Sequence, residues 1–222
     1  MQKLNHLESH PSPVVTPQAL AWDGEQLWVS SRDLGTLQRI DIREGKVIEE
    51  FDPPGVIWAA VLTDNGWRFT IGKGLNDDRY VYGYRKGEGF TRLFACPDFT
   101  GSYLSFDGEY LYLSQWYKGL ILKVDHEGKI LDQIDAGLEI CGHTFANGTL
   151  YVLRGKENRD VPNQEEEWCV ARVSLAEGRT QVEDVATIPF ASRSLAFDGE
   201  RFWSNHRAAN EIMSFTLAGE GL

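Results

Sequence analysis

Cys141 and His143 stand two residues apart in the tract Ile140-Cys-Gly-His-Thr144, and on an extended strand residues at i and i+2 share one face. A thiol and an imidazole on one face are the ingredients of a nucleophile and its base. Strand neighbours at that spacing lie about 6 to 7 Å apart. His143 therefore has three readings, in descending order: a buried imidazole with a polar partner, a general base working near the ordinary pKa of about 6.5, and a partner of Cys141. Arg193, between Ser192 and Ser194, carries a permanent guanidinium that needs an anionic or carbonyl-rich partner wherever it is buried. That partner is a ligand or a loop carboxylate such as Glu139 or Asp98. His143 and Arg193 are thus the candidate catalytic residues.

The elements that position them form a repeat. Three tracts nearly coincide: Ala19-Leu-Ala-Trp-Asp-Gly-Glu-Gln-Leu-Trp28, Tyr103-Leu-Ser-Phe-Asp-Gly-Glu-Tyr-Leu-Tyr112 and Ser194-Leu-Ala-Phe-Asp-Gly-Glu-Arg-Phe-Trp203. Weaker copies fall at Asp64-Asn-Gly66 and Asn147-Gly148, so the equivalent positions 23, 64, 107, 147 and 198 are separated by 41, 43, 40 and 51 residues. Such a period marks a four-stranded propeller blade, at about 40 to 50 residues. Each tract reads as strand, tight turn and strand, with glycine accepting the positive φ of the hairpin. A third strand such as Leu37–Asp41 or Leu120–Val124 and a fourth such as Lys46–Phe51 follow. Pro, Gly and alternating apolar residues interrupt every candidate helix.

The fold class is therefore all-β: a five-bladed β-propeller with four-stranded antiparallel blades, forming a single domain. Too little chain follows Asp198 for a fourth strand, and Lys3–Pro13 resembles the fourth-strand tract Lys46–Pro54. The N-terminal strand is expected to join the C-terminal blade and close the ring, which removes exposed strand edges. The blades are approximately 16–55, 56–100, 101–139, 140–191, and 192–222 with 1–15.

Counting back from each turn places Gln18, Trp58, Ser102, Cys141 and Arg193 at equivalent positions near one mouth of the central channel. Five different side chains at one repeat position break the symmetry that Leu20, Leu104 and Leu195 keep. An asymmetric polar pocket and a channel filled by assorted side chains and water are the two readings. The loops after the second strands add Ser31-Arg-Asp33, Lys73-Gly-Leu-Asn76, Gln115-Trp-Tyr-Lys118, Arg154-Gly-Lys-Glu-Asn158 and Asn205-His-Arg207. Trp116 and Tyr117 are costly to expose in such a loop and suggest a stacking wall. The segment from Arg154 to Glu167 is the longest loop and a candidate lid. The ligand-binding candidates are Gln18, Trp58, Ser102, Trp116, Cys141 and Arg193.

The Leu-Ala-Trp-Asp-Gly…Leu-Trp repeat resembles those of bacterial propellers related to plant-type glutamine cyclotransferases and, more loosely, to streptogramin lyases. The cyclotransferase resemblance implies a five-bladed enzyme with catalytic acidic residues in a Leu-Asn-Glu-Leu-Glu-like motif, which this sequence lacks. The lyase resemblance implies a histidine with a nearby glutamate and a magnesium ion, and His143 alone invites that comparison. Neither activity carries over residue by residue.

Composition narrows the partners. With 33 Asp and Glu against 22 Lys and Arg, the formal charge of -11 repels phosphate backbones and anionic lipids, so nucleic acid and membrane are not expected partners. No stretch approaches the roughly 20 apolar residues that span a bilayer, and a soluble cytoplasmic protein is the expectation. Cys96, Cys141 and Cys169 lack metal-type spacing and read as free thiols. Gln18, Ser102 and Cys141 beside a cationic Arg193 make no hard-oxygen cage, so neither metal nor cofactor is expected. The functional reading is recognition, with or without conversion, of a small polar or anionic molecule at the loop-rich mouth. A non-catalytic module binding a peptide or protein and a cyclotransferase- or lyase-like enzyme are the alternatives.

Overall fold

The repeated aspartate does more than start a turn. One carboxylate oxygen of Asp23 accepts the backbone N–H groups of Glu25 and Gln26 at 2.9 and 2.7 Å, and the other accepts the Trp28 indole at 2.8 Å. Asp107 holds Glu109, Tyr110 and the Tyr112 hydroxyl in the same way, and Asp198 holds Glu200, Arg201 and the Trp203 indole. The aromatic residue five positions after each aspartate is therefore a donor to the turn as well as a strand former. Gly24, Gly108 and Gly199, with φ of 98°, 100° and 104°, take the conformation that a Cβ disfavours. The other two hairpins are shorter: Ala146 pairs with Thr149 across Asn147-Gly148, the dipeptide suited to a type I′ turn.

The structure is a computed structural model describing residues 3–74, 78–158, 166–176 and 179–218. Its strands are β1 (Leu4–Pro11), then β2 to β5 (Pro17–Trp22, Leu27–Ser31, Leu37–Asp41, Lys46–Phe51) in blade I and β6 to β9 (Val56–Thr63, Gly66–Gly72, Tyr80–Arg85, Gly89–Ala95) in blade II. Blade III holds β10 to β13 (Leu104–Phe106, Leu111–Gln115, Leu120–Val124, Ile130–Asp135), and blade IV holds β14 to β17 (Glu139–Ala146, Thr149–Lys156, Glu167–Ala176, Arg179–Ile188). Blade V comprises β18 (Ser192–Phe197), β19 (Phe202–His206) and β20 (Glu211–Leu217), completed by β1. Each blade is a four-stranded antiparallel sheet. The first strands β2, β6, β10, β14 and β18 touch one another in cyclic order around the channel.

Polar groups on the second strands tie blade to blade. Ser30 Oγ donates to the Ile57 carbonyl at 2.9 Å, Thr70 Oγ1 to the Ser102 carbonyl at 3.5 Å, and Asn205 Nδ2 to the Gln18 carbonyl at 3.1 Å. Ile57 and Gln18 lie on the innermost strand of the next blade, and Ser102 lies just before it. Between blades I and II the apolar contact is aromatic, with Trp28 stacked on Phe51 at 4.5 Å and against Trp67 at 4.4 Å. Leu20, Leu104 and Leu195 are buried in the inner layer. The ring closes through β1, whose Leu4 stands opposite Leu217 and Pro11 opposite Glu211. Helix is confined, among the described residues, to 3-10 turns at Pro97–Phe99 and Trp116–Lys118; none is long and apolar enough to cross a membrane.

Candidate functional site

One bulky side chain stands among small ones at one level of the inner strands. Strand register places Ala19, Ala59, Tyr103, Gly142 and Ser194 at equivalent positions of the five inner strands. Four are small, and a Cβ at Gly142 would lie 2.6 Å from the Leu195 nitrogen. Tyr103 occupies the room they leave, buried, with its hydroxyl accepting the Gln18 amide at 3.2 Å. Burial pushes its phenol up to about 12, so it stays a neutral donor.

Over Tyr103 opens a cleft of about 420 Å³, within the size range of small-molecule pockets. A second set of equivalent positions, the ends of the second strands, shapes it: Arg32, Gly72, Trp116, Gly155 and Arg207. Trp58, Trp116 and the exposed Tyr117 supply apolar wall, and Ser102, Thr100 and Gln115 supply polar wall. Among the described residues its cationic lining consists of Arg32, Arg79, Lys118 and Arg207, and its one carboxylate is that of Glu157. Arg79 lies 4.0 Å over the Trp58 ring and donates to Ser102 Oγ at 3.2 Å and to the Gly101 carbonyl at 2.8 Å. Arg32 and Lys118 pair with Asp33 and Asp98 at 3.0 and 2.7 Å, both at the exposed rim.

Arg207 differs from these. It is only 6% exposed, donates through Nη2 to the Gln18 amide oxygen, and has no carboxylate partner among the described residues. Its Nε finds no acceptor either. Burial, reinforced by repulsion from Arg193, pushes its pKa down to about 10, which leaves it charged at neutral pH. An ion held out of water without a counter-ion costs several kcal/mol.

Arg193 is the opposite case, and its geometry is that of the salt-bridge reading rather than of a side chain facing the cleft. Its guanidinium is fully buried, outside the cleft lining, with Nη1 and Nη2 at 2.7 and 2.9 Å from the two oxygens of Glu166 and Nη2 at 3.1 Å from Glu157. Trp116 and Trp168 cover it at 5.1 and 5.5 Å. Burial, the largest single influence, works against the charge, but Glu166 together with Cys141 and Tyr103 holds the pKa above the ordinary value. A salt bridge was the alternative reading, yet neither expected carboxylate forms it: Asp98 binds Lys118, and Glu139 accepts the Glu157 backbone N–H.

His143 likewise takes the first of its three readings, a buried imidazole with polar partners. Nε2 lies 3.2 Å from the Tyr103 carbonyl, which can only accept, so Nε2 carries the proton and Nδ1 accepts from the Ser105 hydroxyl at 2.7 Å. Both nitrogens are spent, and burial pushes the pKa down to about 4. Cys141 is fully buried and its thiol is raised well above the usual range by that burial, which disfavours the thiolate, and His143, with both nitrogens bonded, offers it no base. Neither residue lines the cleft.

Of the six ligand-binding candidates, Gln18, Trp58, Ser102 and Trp116 line the cleft, while Cys141 and Arg193 lie behind it. Tyr103 and Arg79 were missed. For Tyr103 a signal existed, since it replaces Ala19 and Ser194 in otherwise matching tracts; Arg79 has no counterpart in the repeat to betray it. In the expected lid, residues 159–165 lie outside the described residues, as do Leu75 and Asn76 of the blade II loop.

No family model matches the sequence, and no curated protein does. Among solved structures the chain is similar to a glutaminyl cyclase from Myxococcus xanthus, at 13% identity over 97% of this chain and 98% of that one, with a TM-score of 0.62. It is similar also to a calcium-binding regucalcin from Agrobacterium tumefaciens (12%, 98% and 96%, TM-score 0.61) and to virginiamycin B lyase from Staphylococcus aureus (12%, 95% and 99%, TM-score 0.54). The cyclase and the lyase are of the two enzyme classes that the repeat resembles. At such identities the likeness establishes the propeller fold.

Proposed function

We propose that this chain binds a small anionic molecule in the cleft over Tyr103, with Arg207 supplying the charge that meets it. The observation that carries the reading is the buried guanidinium of Arg207, without a carboxylate partner among the described residues, in a chain of net charge -11. Carboxylates are plentiful, and Arg193 alone receives two. Folding would be served better by a neutral side chain at position 207. Binding is favoured over acid–base conversion because Glu157 is held by Arg193 and the Tyr103 phenol is pushed up to about 12.

Arg207→Met tests the reading, because it keeps the bulk and removes the charge. Thermal-shift and calorimetric titrations with small carboxylates and phosphate should show ligand stabilisation in the native chain. The variant should lose at least about tenfold in affinity, roughly 1.4 kcal/mol, while melting at the same or a higher temperature. Equal affinity in both proteins would remove Arg207 from the site.

A further inference from the structure

Resting on that reading, we infer that the ligand is an organic acid whose body is apolar and which carries no ammonium group. The inference comes from the hydrogen-bonding inventory of the cleft, which is one-sided.

The Tyr103 hydroxyl accepts from Gln18, and the Ser102 hydroxyl accepts from Arg79. Each therefore keeps its own proton for another acceptor. Thr100 Oγ1 already donates to the Pro97 carbonyl and accepts from Gln115. The indole N–H groups of Trp58 and Trp116 and the Nε–H of Arg207 have no acceptor. These three nitrogens are covered rather than open to the cleft and offer a ligand no direct contact. Among the described residues, the acceptors facing them are the amide oxygen of Gln115 and the carboxylate of Glu157, and Glu157 already holds Arg193 and meets the Tyr117 hydroxyl at 3.4 Å.

A ligand entering this cleft is asked for acceptors. A carboxylate answers Arg207, Tyr103 and Ser102. An ammonium brings three donors and a positive charge into a space lined by four cationic side chains, where it loses its hydration and, among the described residues, meets only the Glu157 carboxylate that Arg193 already holds. The aromatic surface of Trp58, Trp116 and Tyr103 adds the second requirement. A bare inorganic anion leaves that surface and most of the 420 Å³ unfilled, whereas a flat or apolar body covers it.

Four probes separate these requirements: 3-phenylpropanoate, phenylalanine, 3-phenylpropanamide and inorganic phosphate, each titrated calorimetrically into the native protein and Arg207→Met. The carboxylate should bind, phenylalanine should bind at least about tenfold more weakly because it differs by the ammonium, and the uncharged amide and bodiless phosphate should also be weaker. Phenylalanine binding as well as 3-phenylpropanoate would overturn the exclusion of ammonium and leave the anion reading intact. Phosphate binding best would overturn the requirement for an apolar body. Should no anion bind, or should Arg207→Met bind the carboxylate undiminished, the anion reading itself falls and takes the inference with it.

Discussion

Arg193 and Arg207 are buried guanidinium groups of one blade, yet removing each has a different consequence. Deleting the charge of Arg193 deprives the Glu166 carboxylate, itself without exposure, of its guanidinium, although the Trp168 indole still donates to it at 2.6 Å. Arg193→Met should therefore cost about 3 to 5 kcal/mol, and Arg193→Met with Glu166→Leu should recover most of it in urea denaturation. A loss below about 1 kcal/mol in the single variant would mean that the pair is solvated. His143 makes a separate prediction. Folded, it takes a proton only below about pH 4, whereas unfolded it does so near about 6.5. Between those values the unfolded chain binds the extra proton, so stability falls as pH drops through the window, by up to roughly 3 kcal/mol. His143→Leu, the residue at the matching positions 20 and 104, should be less stable at pH 7 because Ser105 and Tyr103 lose their partner. Its stability should also lose this acid dependence, and an unchanged slope between pH 6.5 and 4 would assign the effect elsewhere. The sequence pointed at Arg193 and His143 because they break the repeat, and that signal marked buried polar networks as readily as it marked ligand contacts. What separates the two cases is distant in the chain: Glu166 lies 27 residues before Arg193, and Ser105 lies 38 before His143. No local pattern reports such pairings.

The hairpin was the most legible element, since its turn chemistry is local. Asp-Gly followed by alternating apolar residues suffices to place the strands, and the inner ring Gln18, Trp58, Ser102, Cys141 and Arg193 follows by counting back. Less legible was the reason for the aspartate. Its second oxygen holds an indole or phenol five residues on, a contact that unites two features of the repeat. Asp198→Ala should cost about 1 to 3 kcal/mol, since two turn N–H groups lose their acceptor and the Trp203 indole is left unpaired. Glu200→Ala, one residue beyond Gly199, removes an exposed side chain and should change stability by less than about 0.5 kcal/mol. Chemical denaturation of the two variants checks this, and equal costs would reduce the aspartate to a turn former. The faces of the strands were legible too, because Leu20, Leu104 and Leu195 keep one residue type through three blades and are buried. Tyr103 was overlooked by the same logic: it looked like one more apolar strand residue until the small neighbours Ala19, Ala59, Gly142 and Ser194 were brought around it.

At the scale of the whole ring, stability depends on a strand that the chain makes first and needs last. β1 covers the outer edge of β20 from Leu217 to Glu211, Glu8 meets Arg201 at 2.7 Å, and His10 packs on Trp203 at 5.5 Å. Without it blade V has three strands and an open outer edge at β20, in the same sheet as the inner strand β18 that contacts β2 and β14. In a linear stack the damage would stay in the terminal repeat. A closed ring has no terminal repeat, so loosening blade V loosens both of its interfaces and, through them, the cleft that Arg207 of that blade helps to line. Deleting residues 1–11 should therefore lower the melting temperature of the whole domain in one transition and weaken anion binding at the same time. Because the lost part is an edge strand rather than a buried core, a synthetic peptide of residues 1–13 should restore both properties when added in trans. The recovery should rise with peptide concentration as ln(1 + [L]/Kd) requires. A peptide of the same composition in scrambled order should restore neither, since it cannot present Leu4 opposite Leu217 and His10 against Trp203 together. An unchanged melting temperature after deletion would show that three strands suffice for blade V, and a deleted chain that melts lower but ignores the correct peptide would show that closure depends on the covalent connection rather than on the strand.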